Sequence, residues 1–187
     1  MSQHPTTALL LIDIQESFRH RPSWSEHDLP AFLARTNALI DGCASRGLPL
    51  VRIFHVEPEG PFSMASGQVR PLQGLAAVTP AVEFHKNRHS ALVGTGLSVW
   101  LRQRNINRLI VAGIRTEQCC ETTTRHASDE GFEVDFVPEA TLTFDMKHLD
   151  GSPLKSHDIV ARTTAVLTGR FATICSVEQA LERAQQR

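Results

Sequence analysis

The sequence predicts an α/β fold: a Rossmann-like, three-layer αβα sandwich built around a mainly parallel sheet. Short apolar runs rich in β-branched residues recur along the chain, and stretches of helical period lie between them. The two kinds of segment alternate from one end to the other, which is the pattern of a parallel sheet covered by helices on both faces. The length of 187 residues fits one domain, 1–187, better than two, and 41% apolar with 21% charged residues is ordinary globular composition.

The elements follow in order. ALLLIDI (8–14) is a short apolar run ending in a carboxylate and reads as a buried strand. Residues 28–46 carry a helical period through Leu29, Phe32, Leu33, Thr36, Leu39, Ile40 and Cys43, with Pro30 in the first turn and Gly47 as the C-cap. LVRIFHV (50–56) is the second strand. Residues 57–80, rich in Pro, Gly and Ser, form a long loop of the kind that is often functional. A short strand near 81–84 precedes His85 and Lys86, and 95–104 is a helix opened by Thr95. RLIVAGI (108–114) is the clearest buried strand. A helix runs from near Glu117 to about Glu130, with Gly131 as its cap. FEVDFV (132–137) is a strand, 141–153 a second polar loop, 158–169 a helix, FATIC (171–175) a strand, and a last helix follows Ser176.

Composition excludes several function classes. A formal net charge of −1 provides no global field for nucleic acid or a membrane surface. No apolar run approaches the roughly 20 residues of a membrane span. The start, MSQHPTT, lacks the basic and apolar regions of a secretion signal, so the expected compartment is the cytoplasm. The four cysteines, Cys43, Cys119, Cys120 and Cys175, form no zinc-type pair and are expected as thiols.

Reactive residues fall at the carboxyl ends of predicted strands, where ligands bind in open parallel sheets. Asp13 closes the first strand, Lys86 follows the third, and Cys119 follows the fourth at the start of a helix. Free amides and the positive end of the helix dipole favour a thiolate at Cys119 and could hold an oxyanion. Most free cysteines are merely small buried hydrophobes, and Cys120 is the rival. Neighbouring helical residues point about 100° apart, and the stripe Cys120, Thr123, Thr124, Ala127 takes Cys120 inward. A carboxylate at Asp13 is costly unless partnered, and it suits proton transfer with a thiol. A cation at Lys86 would keep Asp13 ionised and favour the thiolate, although a lone lysine is more often a solvated surface charge.

These residues sit in blocks that resemble the isochorismatase-like cysteine hydrolases. D-x-Q-x-x-F appears as Asp13-Ile14-Gln15-Glu16-Ser17-Phe18. Lys86 is followed by S-A-x-x-x-T-x-L as Ser90-Ala91-Leu92-Val93-Gly94-Thr95-Gly96-Leu97. A-G-x-x-T-x-x-C appears as Ala112-Gly113-Ile114-Arg115-Thr116-Glu117-Gln118-Cys119, followed by Thr123, Ala127 and Gly131. The order and spacing hold across residues 8–140.

The resemblance implies an Asp13-Lys86-Cys119 triad, a non-proline cis peptide at Ile114-Arg115, and an oxyanion hole at the amides of Arg115 and Cys119. It implies that Asp13 takes the thiol proton, that Cys119 attacks an amide-type carbonyl, and that Asp13 returns the proton to the leaving amine or ammonia. Water activated by the same carboxylate then cleaves the thioester. The reaction so implied is hydrolysis of a small amide, carbamoyl or ureido-type C–N bond. The alternatives are vinyl-ether hydrolysis of the isochorismate type, in which the cysteine is often lost, and a binding member with a vestigial triad.

Metal-dependent nicotinamidases carry Asp-x-His in the second strand. Here the stretch is Ile53-Phe54-His55, so no metal and no cofactor are expected, and His55 reads as a strand-end hydrogen-bonding residue. His85 and His89 lack a third ligand. Arg115 either pairs with Glu117, the outcome slightly favoured, or grips a substrate carboxylate. Phe18, Trp24, Phe62 and Phe144 are candidate pocket walls. The expected partner is a small-molecule substrate, and the resemblance implies a homo-oligomer, dimer or tetramer.

Overall fold

The computed structural model describes residues 6–185; the first five residues, which include most of the stretch read for a secretion signal, lie outside the described residues. The strands are β1 (Thr7–Ile12), β2 (Leu50–His55), β3 (Val82–Lys86), β4 (Arg108–Ile114), β5 (Glu133–Leu142), the pair β6 (Met146–Lys147) and β7 (Pro153–Leu154), and β8 (Thr173–Ile174). Six of them form one sheet in the order β3-β2-β1-β4-β5-β8. Every pairing in that sheet is parallel.

Alternation along β1 divides the interior into two cores. Leu9 and Leu11 face one, with Phe32, Leu39, Ile40 and Cys43 of α1 (Leu29–Ser45) and Ala180 and Leu181 of α5 (Val177–Arg183). Ala8, Leu10 and Ile12 face the other, with Leu97 and Leu101 of α2 (Leu97–Arg102), Ala127 of α3 (Glu121–Asp129) and Leu167 of α4 (Ser156–Leu167). All six β1 positions are buried. A strand buried on both faces reads as an unbroken apolar run, which is why its pattern is legible. The result is the three-layer sandwich with its sheet in the middle.

Several boundaries differ from the sequence reading. β3 extends through His85 to Lys86, so the lysine is the last strand residue and not a loop residue. Residues 141–142 belong to β5, and most of the remaining 143–153 segment holds the β6–β7 hairpin. Pro138 disguises this extension, since proline argues against a continuous strand. The structure accommodates it with a register shift between Val111 and Gly113, after which Gly113 pairs with Thr141. FATIC shortens to the two residues of β8. The helix expected from Glu117 begins instead as a wide π-type turn, Thr116–Cys120, before α3 proper. No described helix is long and apolar enough to cross a membrane.

Candidate active site

β1, β2 and β3 run outward from the centre in one direction, and β4, β5 and β8 in the other. The switch between β1 and β4 opens a crevice beyond the carboxyl ends of the strands, the standard ligand position in such sheets. Asp13 lies on one lip. Cys119 lies on the other, at the turn after β4.

Three local devices shape this crevice. Asp13 leaves β1 with φ 54°, a left-handed conformation that L residues other than Asn and Asp seldom adopt. Gln15 then laces the end of β1 to that of β2: its amide donates to the His55 carbonyl at 3.0 Å and accepts from the His55 N–H at 2.8 Å. Gly113 lets β4 pass close to β1, because a Cβ there would meet the Ile12 carbonyl oxygen at 2.1 Å. Only glycine fits that approach. The Ile114–Arg115 peptide that follows is cis.

Lys86 reaches from β3 past β2 to the centre of the group. Its ammonium lies 2.7 Å from Asp13 Oδ2 and donates to the Arg88 carbonyl at 3.1 Å, His55 Nδ1 at 3.2 Å and Cys119 Sγ at 3.3 Å. An ammonium has three N–H groups, so four neighbours share three donors. The side chains of Lys86 and Asp13 are both fully buried. Asp13, His55 and Cys119 place their ligand atoms within 4.8 Å of one another, a spacing that would suit a metal. The lysine ammonium already stands among them as the resident cation. That occupancy, with Ile53 where a carboxylate ligand would be needed, does not fit a bound metal.

The charges bear on each other. Burial raises the Asp13 carboxyl above the ordinary carboxylate range, against the lowering effect of Lys86. Burial disfavours the Lys86 ammonium, but Asp13 and Cys119 outweigh it and hold the lysine above its usual value. Burial, and then the neighbouring Asp13, push the Cys119 thiol up to about 12. Burial and the neighbouring carboxylate thus favour the thiol at Cys119, while Lys86 favours the thiolate expected from the sequence. His55 is pushed down to about 4 by burial and by Lys86, so it is a neutral acceptor for the lysine. The Asp13 carboxylate is held against the Lys86 ammonium and lies within hydrogen-bonding reach of the Cys119 thiol.

A cavity of about 310 Å³ opens over this group, lined by Asp13, Phe18, His55, Phe62, His89 and Cys119 among others. A larger one of about 790 Å³ lies at the amino ends of the strands by Gly47, Trp100 and Arg104, and no nucleophile lines it. Of the candidate walls, Phe18 and Phe62 meet edge to face at 5.0 Å. Phe144 stands one layer back against Phe18 and Trp24. Cys120 is fully buried in the core, and Cys43 and Cys175 are buried as well. Arg115 lines the cavity but is engaged by Glu117 at 3.2 Å, the Thr143 hydroxyl at 3.3 Å and the Phe144 carbonyl at 3.2 Å. His85 turns away to Glu83. The sequence reading did not single out Arg21, Glu57 and Gln118 as cavity residues; nothing in their spacing marks them.

A cysteine, an acid and a buried lysine gathered at the switch point of a parallel αβα sandwich define an enzyme-like crevice. The profile of the isochorismatase domain matches residues 7–179, and the chain belongs to that family, whose members are hydrolases. Among curated relatives, the isochorismatase family protein YrdC of Bacillus subtilis is 24% identical over 174 residues, covering 92% of each chain. The nicotinamidase of Escherichia coli is 26% identical over 177 residues, covering 72% of this chain and 82% of its own. A crystal structure of an isochorismatase-family protein from Chromobacterium violaceum superposes with a TM-score of 0.87 at 28% identity, covering 100% and 97% of the two chains. A cysteine hydrolase from Pseudomonas syringae shares the fold at a TM-score of 0.86 and 18% identity, covering 99% of each.

Proposed function

We propose that this hydrolase cleaves a small amide, carbamoyl or ureido-type C–N bond through a thioester on Cys119, with Asp13 as proton carrier and Lys86 as the fixed cation. The observation that carries this reading is the single ammonium lying 2.7 Å from Asp13 and 3.3 Å from the Cys119 sulfur. It ties the acid to the nucleophile with no other charge between them. The E. coli nicotinamidase supports the same bond class, since its name describes hydrolysis of an amide.

Each step follows from the charges described above. A thiol at about 12 is a poor nucleophile until it loses its proton. Asp13 is the adjacent base, and its raised pKa narrows the gap between it and the thiol. As the proton moves to Asp13, Lys86 offsets the charge that develops on sulfur. We assign the oxyanion of the tetrahedral intermediate to the backbone amides of Arg115 and Cys119. Asp13 then returns its proton to the departing nitrogen, and water cleaves the thioester. A cavity of about 310 Å³ is at the small end of ligand sites, which suits a compact substrate.

The test is a panel of small primary amides, carbamoyl compounds and ureido acids, read by release of ammonia or amine, with the intact enzyme and with Cys119→Ala. Turnover that vanishes in the variant, together with an acyl adduct trapped on Cys119, is the expected result. Turnover that survives in Cys119→Ala would move the protein to non-amide chemistry such as vinyl-ether hydrolysis.

A further inference from the structure

The cavity over Cys119 is lined by two acids, Asp13 and Glu57, and both are already paired. Asp13 lies 2.7 Å from the Lys86 ammonium, and Glu57 lies 2.5 Å from an Arg21 nitrogen. The unspent polar groups of the cavity are of the opposite kind. Among the described residues, the side chains of Ser23 and Gln118 have no protein partner, and Arg21 has Glu57 as its one polar partner. All three can donate hydrogen bonds. A cationic ligand would find no free acid here, whereas an anionic one would find donors in place.

Arg21 is the strongest of these donors and the best prepared. It follows the 3-10 turn Glu16–His20, which continues the segment that starts at Asp13. Its N–H donates to the Phe18 carbonyl at 3.0 Å, and its carbonyl accepts from the Trp24 N–H at 2.9 Å, so its backbone is fixed at both ends. The guanidinium carbon lies 4.5 Å over the ring of Phe62, the wall that meets Phe18 edge to face. The side chain is nevertheless 43% exposed, which places it where the cavity meets solvent. Glu57 Oε1 takes one of the five N–H groups. A guanidinium presents two edges to carboxylates, Nε with Nη2 and Nη1 with Nη2, and no single N–H belongs to both. One edge is therefore left for a second carboxylate. Arg115, the other arginine of the cavity, is instead fastened to Glu117, Thr143 and Phe144.

We propose that Arg21 is the specificity-determining residue of this site, and that the substrate is an anion: an amido or ureido acid whose carboxylate takes the open edge of the Arg21 fork while its C–N bond lies at Cys119. This rests on the reading of Cys119 as the nucleophile. Glu57 and the Phe62 ring hold the guanidinium in position, and the substrate carboxylate shares the cation with Glu57.

Alkylation of Cys119 tests this without any need for turnover. N-iodoacetylglycine and N-iodoacetyl-β-alanine carry a carboxylate at two distances from the reacting carbon, and their carboxamides are neutral matches. Rates of alkylation, with the adduct located on Cys119 by mass, are compared for the full chain, Arg21→Gln and Arg21→Lys. The expected result is an acid-to-amide rate ratio that falls about 10-fold in Arg21→Gln for at least one length, through slower reaction of the acid. Lysine should recover only part of that ratio, since it keeps the charge and loses the fork. The fall should remain at about 0.5 M salt, where the field of a distant charge is screened. A ratio unchanged at both lengths would overturn the proposal and leave the nucleophile in place. A fall that salt abolishes, or that lysine repairs in full, would also overturn it, because either would mean a diffuse field and not a grip. Failure of both pairs of reagents to alkylate Cys119 in the wild type would instead remove the nucleophile reading, and the role of Arg21 with it.

Discussion

Among the described residues, two sets bring together one aspartate, one cation and one cysteine, and they differ in that Cys119 lines a cavity whereas Cys175 does not line the one beside Arg183. At the carboxyl rim Asp13 lies 2.7 Å from Lys86 beside Cys119. Across the sheet Asp135 of β5 lies 2.8 Å from Arg183 of α5, and Cys175 follows β8. Both aspartates are fully buried, and burial raises both. Burial also raises both thiols, Cys119 to about 12 and Cys175 to about 11. Thiol acidity therefore does not pick out the nucleophile. What differs is the cation and the opening. The Lys86 point charge touches acid and sulfur together, whereas the Arg183 fork is spent on Asp135 and the Thr173 hydroxyl. Cys175 donates to the Thr173 carbonyl and is sealed in the core, where the set ties the last helix to the sheet.

The largest expected effect tests this division directly. Cys119→Ser should lower turnover by roughly 10⁴-fold or more, as loss of a nucleophile does elsewhere. Cys175→Ala should leave kcat unchanged. Steady-state rates on whichever substrate the panel yields decide it; a comparable loss in Cys175→Ala would erase the distinction between the two sets.

The ion pairs differ next in what their removal does. Lys86→Met leaves the Asp13 charge buried without a partner, which should cost about 3–5 kcal/mol in urea unfolding and abolish activity. Replacing both, Lys86→Met with Asp13→Asn, removes the uncompensated charge and should recover most of the stability but none of the activity. Asp135→Asn should cost about 1–3 kcal/mol, because Arg183 is partly exposed and water can take over its charge. Its activity should match the wild type. A double variant at the rim no more stable than Lys86→Met would mean that geometry, not charge balance, dominates there.

The sequence makes the sheet legible because β1 and β4 are buried on both faces and read as unbroken apolar runs. It is less informative where tertiary context decides: β5 runs through Pro138 because a register shift opposite Val111 absorbs it. In the site, the three residues read at strand ends are brought together, but several letters of the motifs turn out to be framework. Thr116 donates to the Thr141 hydroxyl and holds the turn against β5. Thr123 accepts from the Ala91 N–H and Thr95 donates to the Ala91 carbonyl, which fixes the segment after Lys86 on α3. No one-dimensional pattern could reveal that His55 is the lysine's acceptor or that His89 faces the sulfur, because both depend on which way a side chain turns at the end of a strand or in a loop.

His55 provides a graded test of the rim. Its folded pKa, about 4, is below the ordinary histidine value, so between those limits the unfolded chain binds a proton that the folded chain does not. Its contribution is complete above about pH 6.5 and falls as the pH drops toward 4, by about 3 kcal/mol at full extent. Asn at position 55 keeps an acceptor near Lys86 but does not titrate. Unfolding free energies measured from pH 7 to 4.5 should therefore fall more steeply for the wild type than for His55→Asn. Parallel slopes would show that His55 takes up its proton without disturbing Lys86.

Arg115 carries the smallest expected effect and sharpens the boundary between site and scaffold. Its guanidinium reaches Glu117, the Thr143 hydroxyl and the Phe144 carbonyl, and lies 5.5 Å over the Phe144 ring. These contacts fasten the segment after β5 behind Phe18, the cavity wall. Arg115→Ala should therefore raise KM by a few-fold, on the order of 1 kcal/mol, and equally for neutral and anionic substrates, because it loosens a wall without removing a ligand for charge. Amide hydrogen exchange should rise at residues 143–156 in the same variant. A KM increase confined to anionic substrates would instead mean that the arginine leaves Glu117 to meet a substrate carboxylate, and the rim would then contribute recognition as well as chemistry.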